Sequence, residues 1–247
     1  MTWLKNGLSL LVLSLLIPAL ASAKVYLVSV GVSDYPGTIN DLPLPAKDAQ
    51  TITSLYAKNG GLQYCQLLNQ DATASNIVKA MNKVFALAGE NDMVVFFFAG
   101  HGYPGGLCAY DGNLNYKEIR KCMARSKCKN KMIFADACFS GKIRNDQTAS
   151  QQQEVAAAKK ANVMLFLSSR SDEESIERAD MQNGIFTAFL QKGLRGGADV
   201  NKDRKITARE LFDYVHKNVV KISEGQQHPV MWGKFSDNMP VMVWKKK

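Results

Sequence analysis

Two unbroken apolar runs limit the folds that are open to this chain of 247 residues. Residues 94–99 read Val-Val-Phe-Phe-Phe-Ala and residues 132–135 read Met-Ile-Phe-Ala, with no polar alternation. Runs of this kind are typical of strands that are buried on both faces of a parallel sheet. Each run leads into a reactive side chain, His101 after the first and Cys138 after the second. Because ligand sites form beyond the carboxyl ends of parallel strands, we expect these two residues to share one crevice.

The remaining segments alternate between strand patterns and helix patterns. Strands are predicted at residues 25–32, 66–69, 163–168 and 241–244, and helices at residues 48–58, 76–88, 116–125, 185–194 and 208–219. This alternation predicts an α/β fold, a doubly wound, mostly parallel sheet with helices on both faces and right-handed crossovers.

The N-terminus has the pattern of a signal peptide. Lys5 precedes an apolar stretch at residues 8–20, and Ala-Ser-Ala at residues 21–23 provides a cleavage signature, so we expect cleavage after Ala23. The alternative is a membrane anchor, but the stretch is short and no basic stop-transfer cluster follows it. We therefore expect residues 24–247 to form one exported domain, secreted or periplasmic, with no stable membrane span after cleavage.

The net charge of +9 does not indicate nucleic-acid binding. The basic residues are scattered, apart from small clusters at residues 127–131 and 245–247, and they are not interleaved with aromatic residues. They belong to no recognisable nucleic-acid module. A solvated surface that favours acidic partners or cell surfaces is the better interpretation.

Five cysteines in an exported chain leave one thiol unpaired. Cys138 is the natural candidate for that free thiol. Cys65, Cys108, Cys122 and Cys128 would then form two disulfides in one of three pairings, or all four would be reduced. The sequence leaves both alternatives open.

The chemistry expected of Cys138 and His101 is nucleophilic catalysis. A cysteine attacks as its thiolate, and a nearby histidine is able to take the thiol proton and later to protonate the leaving amine. The 37 positions that separate residue 138 from residue 101 are long enough for a crossover helix between adjacent parallel strands. Gly102 allows the main chain to approach a substrate closely.

The residues around this pair carry a family resemblance. Phe-Ala-Gly-His-Gly at 98–102 and Asp-Ala-Cys-Phe-Ser-Gly at 136–141 resemble the paired signatures of the caspase and metacaspase peptidases, closest to the bacterial metacaspase-like branch. The similarity continues at residues 27–35, 47–49, 167–169, 184–187 and 197–214, so that it covers nearly all of residues 24–244. The resemblance implies a caspase-like fold.

The same resemblance implies catalytic roles. Cys138 would be the nucleophile, which forms a thioacyl-enzyme, and His101 would be its acid and base. The backbone N–H groups of Gly102 and Cys138 would form the oxyanion hole. No cofactor is required for this chemistry.

Metacaspases use acidic residues to bind a basic side chain at P1, the residue before the cleaved bond. The matching positions are Asp136 and Asp48, a carboxylate pair that would favour Arg or Lys. An alternative for Asp48 is a helix N-cap. Ala99 stands where the family often has Ser, and Phe139 stands where it often has His or Tyr, so the pocket has one hydrogen bond fewer. The Gln that precedes Ala-Cys in true caspases is absent, which argues against cleavage after Asp.

A second motif matches the ligand spacing of a calcium loop. Asp199, Asn201, Asp203 and Glu210 occupy positions 1, 3, 5 and 12 of a twelve-residue loop, the EF-hand pattern. Arg204 stands at position 6, where glycine normally allows the turn. The alternative is a turn with Asx caps that leads into the next helix. Calcium is therefore a candidate ligand rather than a requirement.

The resulting functional prediction is an exported cysteine endopeptidase that acts on peptides or proteins and cleaves after Arg or Lys. Residues 142–160 are a candidate processing linker, because Lys142, Arg144, Lys159 and Lys160 suit a basic-P1 enzyme that cuts itself. Two alternatives stay open: a catalytically idle scaffold that binds partners or calcium, and a related peptidase or transpeptidase with another P1 preference. The sequence leaves the oligomeric state open.

Overall fold

A computed structural model of the chain describes residues 23–103, 105–138, 162–170 and 181–244. The predicted signal peptide, apart from Ala23, and the candidate processing linker at residues 142–160 lie outside the described residues. None of the helices in the described ranges has the length and apolarity needed to cross a membrane.

The strands and helices follow one another in the alternating order that the sequence predicts. The strands are β1 (Val25–Gly31), β2 (Leu62–Leu68), β3 (Met93–Tyr103), β4 (Gly106–Ala109), β5 (Gly112–Asn115), β6 (Asn130–Cys138), β7 (Met164–Leu167), β8 (Lys205–Thr207), β9 (Val230–Gly233) and β10 (Pro240–Val243). The helices are α1 (Pro45–Lys58), α2 (Ala74–Phe85), α3 (Tyr116–Arg125), α4 (Ile185–Lys192) and α5 (Ala208–Ile222).

The central sheet has the strand order β2-β1-β3-β6-β7-β9. All neighbouring pairs in this order are parallel except β7 and β9, which are antiparallel. The predicted mostly parallel α/β sheet is therefore confirmed. β4 and β5 form a hairpin that continues from the end of β3, and β8 pairs with β10 in a separate two-stranded sheet.

Two apolar layers explain why the central strands show no polar alternation. In β3, Val94, Phe96 and Phe98 pack in the layer that contains α2 and α3, whereas Val95 and Phe97 pack in the layer that contains α1, α4 and α5. All five side chains are fully buried. Burial of each contributes roughly 1.5–3 kcal/mol, so β3 and β6 form a stable base for the residues at their ends.

Short polar side chains fix where several helices begin. The hydroxyl of Thr73 caps α2 by accepting a hydrogen bond from the N–H of Asn76, and the Asn115 side chain caps α3 in the same way. Thr207 and Glu210 form a reciprocal capping box at the start of α5. These caps place the helix starts within a few residues of the predicted positions.

Cys65, Cys108, Cys122 and Cys128 carry free thiols. The structure thus corresponds to the reduced alternative rather than to two disulfides. Burial raises the pKa of each of these thiols, which disfavours the reactive thiolate form.

Candidate active site

His101 and Cys138 lie side by side at the carboxyl edge of the sheet. β3 and β6 pair in parallel from Met93 opposite Asn130 to His101 opposite Cys138. Neighbouring strands are about 4.8 Å apart, so the structure brings the two backbone positions next to each other. The expectation that the two residues share one edge of the sheet is therefore met, and their roles as nucleophile and base stay a prediction.

The imidazole of His101 is oriented by a backbone carbonyl. Its Nε2 lies 2.8 Å from the carbonyl oxygen of Asn40, which ends the 3-10 turn Thr38–Asn40. A carbonyl only accepts hydrogen bonds, so Nε2 carries the proton of the neutral ring. Nδ1 is then the nitrogen whose lone pair is able to take a proton from a thiol.

Tyr35 holds the backbone of His101. Its hydroxyl accepts a hydrogen bond from the His101 N–H at 2.9 Å and donates one to the carbonyl of Cys108 at 3.0 Å. The two rings are also in contact, with 5.0 Å between their centroids. Gly100 makes this approach possible, because it adopts a φ of +150° and a Cβ there would lie 2.7 Å from the Tyr35 hydroxyl.

A buried serine holds the peptide group that precedes Cys138. The Oγ of Ser168 lies 3.2 Å from both the nitrogen and the carbonyl oxygen of Ala137, so it accepts from one and donates to the other. The side-chain amide of Gln227 in turn donates to the Ser168 carbonyl at 2.9 Å. Ser168 and Gln227 are fully buried, so these bonds are shielded from water and position the end of β6.

Gly102 lies in the part of β3 that leaves the parallel sheet. It is the register partner of Leu107 in the antiparallel pairing of β3 with β4. Cys138 is the last residue of β6. Both backbone positions are therefore at the same edge of the sheet, and their role as oxyanion-hole donors stays a prediction.

The two predicted specificity residues, Asp136 and Asp48, meet at the start of α4. The Oδ2 of Asp136 accepts hydrogen bonds from the N–H and the hydroxyl of Thr187, at 3.1 and 2.7 Å. Asp48 accepts from the Asn183 side chain at 2.6 Å and from the Gly184 N–H at 3.3 Å. Both carboxylates are buried, and these hydrogen bonds offset part of the cost of removing them from water.

Gly184 lies between the two carboxylates. A Cβ at this position would be 2.7 Å from the Oδ2 of Asp136 and 3.2 Å from the Oδ2 of Asp48. Asp48 is not a helix N-cap, because α1 begins at Pro45 with Leu44 at the cap position. That alternative is wrong. The arrangement brings two buried carboxyl groups together, one of them two residues before Cys138.

Ala99 is the register partner of Asp136 on the neighbouring strand. Its side chain is buried in the same apolar layer as α1 and α4. The structure thus places this position beside Asp136, where the sequence has a methyl group instead of a hydroxyl.

The loop of the candidate cation site uses its oxygen atoms internally. Asp199 accepts hydrogen bonds from the N–H groups of Asp203 and Arg204, and Asn201 also accepts from Asp203. Glu210 accepts from the N–H and the hydroxyl of Thr207 in the capping box. The Asx-turn alternative is therefore present, and no group of three His, Cys, Asp or Glu in the described residues could hold a metal ion. Calcium binding stays a prediction.

Comparison with known proteins finds similarity over most of the chain. The family model of the caspase domain, peptidase C14, matches residues 25–239. The fold is similar to that of a protein from Geobacter sulfurreducens, GSU0716, with a TM-score of 0.67 and 18% sequence identity over 90% of this chain and 100% of that one. It is also similar to caspase-1 from Spodoptera frugiperda, with a TM-score of 0.66 and 15% identity over 91% of each chain. No curated protein matches the chain.

Proposed function

Because the chain belongs to the caspase domain family, we propose that it is an active cysteine endopeptidase that cleaves peptides and proteins after Arg or Lys. The observation that carries the proposal is the register of β3 and β6, which sets His101 opposite Cys138. The family match alone is also consistent with a caspase-like scaffold that has lost activity. The presence of both reactive residues, at paired positions, supports the enzyme.

The proposed reaction has two steps. Nδ1 of His101 takes the proton of the Cys138 thiol, and the thiolate attacks the carbonyl carbon of the scissile bond. The C–N bond breaks as the imidazolium returns its proton to the leaving amine, and a thioacyl-enzyme remains. In the second step, His101 takes a proton from a water molecule that attacks the thioester carbonyl carbon. The C–S bond breaks, the imidazolium returns the proton to the Cys138 sulfur, and the carboxylic acid product is released.

The backbone supplies the rest of this chemistry. The hydrogen bond between His101 Nε2 and the Asn40 carbonyl stabilises the imidazolium that forms during the reaction. The N–H groups of Gly102 and Cys138 are the donors that we assign to the oxyanion. Removal of one such donor typically costs a hundredfold to a thousandfold in kcat, roughly 2.7–4 kcal/mol.

The preference for Arg or Lys rests on Asp136 and Asp48. Two buried carboxylates near the nucleophile attract a basic P1 side chain and repel an acidic one. Each already has hydrogen-bond donors from α4 or the residues before it, so the pair is held in place before substrate binds.

The proposal includes export and self-processing. We assign residues 1–23 to a signal peptide and residues 142–160 to a linker with basic cleavage positions. N-terminal sequencing of the active protein tests both, because it would give a new N-terminus after residue 23 and a second one within 142–160. An intact, fully active chain would contradict self-processing.

The decisive experiment compares hydrolysis of fluorogenic peptides that end in Arg, Lys or Asp. We expect cleavage of the Arg and Lys peptides, and its loss in Cys138→Ala. Cys65→Ala is the matched control, since Cys65 is a free thiol on the edge strand β2 and its loss leaves activity unchanged. Absence of activity in the wild-type protein, or its survival in Cys138→Ala, would favour the scaffold. Peptide transfer to an added amine would instead identify a transpeptidase.

A further inference from the structure

A cavity of about 520 Å³ opens at the end of the sheet opposite to His101 and Cys138. Of its lining residues, Lys131 is the second residue of β6 and Asn162 lies two residues before β7. Lys234 directly follows β9, which runs antiparallel to β7. The cavity thus lies at the amino ends of the parallel strands. Its volume is within the range of small-molecule sites. It shares no lining residue with the candidate active site.

Lys131 is the unusual residue of this cavity. Its side chain is only 8% exposed, although lysine is rarely buried without a partner. No carboxylate in the described part of the chain forms an ion pair with it, and no described group accepts a hydrogen bond from its ammonium. Burial lowers its pKa, because the charged form has lost part of its hydration. An anion in the cavity would compensate for that loss.

The other side chains around the cavity include further hydrogen-bond donors and no carboxylate. Lys234 and Ser236 lie on the segment after β9, and the Asn162 amide lies on the segment before β7. Lys129 also lines the cavity, but it is paired with Glu90 at 2.9 Å. Lys131 and Lys234 therefore line the cavity, and neither forms an ion pair with a carboxylate of the described residues.

Phe235 adds an apolar wall to this set of donors. Lysines act as point charges toward oxyanions, and an aromatic side chain provides a surface for the carbon skeleton of an organic ligand. We propose that this cavity is a binding site for a phosphate-bearing anion, with Lys131 and Lys234 as its charged ligands. The phosphate belongs either to a free condensed phosphate or to an organic phosphate monoester.

Isothermal titration calorimetry on the full domain tests this site. The probes are inorganic phosphate, pyrophosphate and phenyl phosphate, each at constant ionic strength adjusted with sodium chloride. We expect saturable binding of a phosphate compound with a stoichiometry of one. Tighter binding of pyrophosphate would identify a condensed phosphate, and tighter binding of phenyl phosphate would identify an organic monoester.

The variant Lys131→Met keeps the volume of the side chain and removes its charge. We expect its dissociation constant to be at least tenfold higher than that of the wild-type protein. Lys217→Met is the matched control, because Lys217 is an exposed residue of α5 away from the cavity, and its loss should leave the constant within twofold. Circular dichroism establishes that each variant is folded.

Lys234→Met provides an independent test if Lys131→Met does not fold, and we expect a severalfold loss of affinity. Equal affinity in wild-type protein and the folded cavity variants would overturn the proposal, as would a lack of saturable binding by the wild-type protein. An equal loss in Lys217→Met would also overturn it, because binding would then follow net charge alone. None of these outcomes depends on peptidase activity.

Discussion

The carboxylates of Asp48 and Asp136 approach the same backbone position, Gly184, although one residue belongs to α1 and the other to β6. Each of these buried carboxyl groups accepts a backbone hydrogen bond from the beginning of α4. In the proposed function, a basic P1 side chain that approaches this pair is attracted to both carboxyl groups. The proposed preference for Arg or Lys therefore depends on how α1, β6 and the start of α4 pack together.

Asp136→Asn should remove the preference for a charged P1 residue. We expect kcat/KM for Arg peptides to fall by about two orders of magnitude, because a charge-assisted hydrogen bond is replaced by a neutral one. Hydrolysis of the matching citrulline peptide, a neutral analogue of Arg, should change much less. Equal losses for both peptides would show that Asp136 does not contact the P1 charge. Asp213→Asn is the control, because Asp213 forms an exposed ion pair with Arg209.

Ala99→Ser should improve the binding of a basic P1 side chain. The serine hydroxyl would lie on the strand next to Asp136 and within the same layer, where it provides one more polar group for a basic P1 side chain. We expect KM for Arg and Lys peptides to fall severalfold with little change in kcat. Steady-state kinetics with both peptides measures the effect, and an unchanged KM would contradict it.

Ser168→Ala should impair the nucleophile without touching the substrate. The change leaves the buried N–H and carbonyl of Ala137 without the hydroxyl, which costs about 1–3 kcal/mol of stability. We expect kcat to fall by about tenfold to a hundredfold with little change in KM, since Cys138 is misplaced rather than removed. Thr53→Ala is the control, because it also removes a buried, hydrogen-bonded hydroxyl but lies in α1. Equal kcat in the two variants would contradict a positioning role.

Tyr35→Phe should act on His101 through the backbone. Burial raises the pKa of the Tyr35 hydroxyl well above its usual value, so the group stays a neutral hydrogen-bonding partner across the range in which the enzyme is assayed. Its removal leaves the His101 N–H without an acceptor, and we expect a fall in kcat of about tenfold and an altered pH profile. Tyr56→Phe, which removes a buried hydroxyl bonded to Val241, should lower stability but leave the pH profile unchanged.

Lys131→Met should also change how stability depends on pH. Burial lowers the pKa of Lys131 in the folded protein, so the unfolded chain binds the proton more tightly and the charged lysine destabilises the fold at neutral pH. We expect the variant to be more stable than the wild-type protein below the lowered pKa. The difference should decrease as pH rises toward about 10.4, the usual pKa of lysine. Denaturant unfolding of both proteins at pH 7 and pH 10 measures it, and a constant difference would contradict the assignment.

The sequence predicted the parts of the fold that depend on long apolar patterns. The helix Tyr116–Arg125 agrees with the prediction at both ends, and the run before His101 is the strand that pairs with β6. β4, β5, β8 and β9 were not predicted, because glycine or polar residues interrupt the apolar pattern within their three or four positions. The last predicted strand, at residues 241–244, corresponds to β10, which pairs with β8 outside the central sheet. Its own residues do not indicate this partner, because β8 was not predicted.

The candidate site divides in the same way. His101, Cys138, Asp136 and Asp48 carry reactive or charged side chains within a recognisable motif, so the sequence was sufficient to select them. Asn40 was missed, because its carbonyl group is common to every residue and only its position beside His101 is informative. Polar side chains such as Thr187 and Gln227 were missed as well. Their contribution depends on partners more than 50 positions away in the chain.

The bond between Asp136 and Thr187 also limits how this protein can diverge. The same carboxylate serves the start of a helix and the proposed recognition of a substrate, so a mutation that alters one alters the other. A descendant that acquired a neutral or basic residue at position 136 would need a new acceptor for the amide of residue 187 before it could exploit a new cleavage preference. We therefore expect changes in substrate range to begin at positions that contribute to substrate recognition but not to the start of α4. Ala99, which is paired with Asp136 on the neighbouring strand, is such a position.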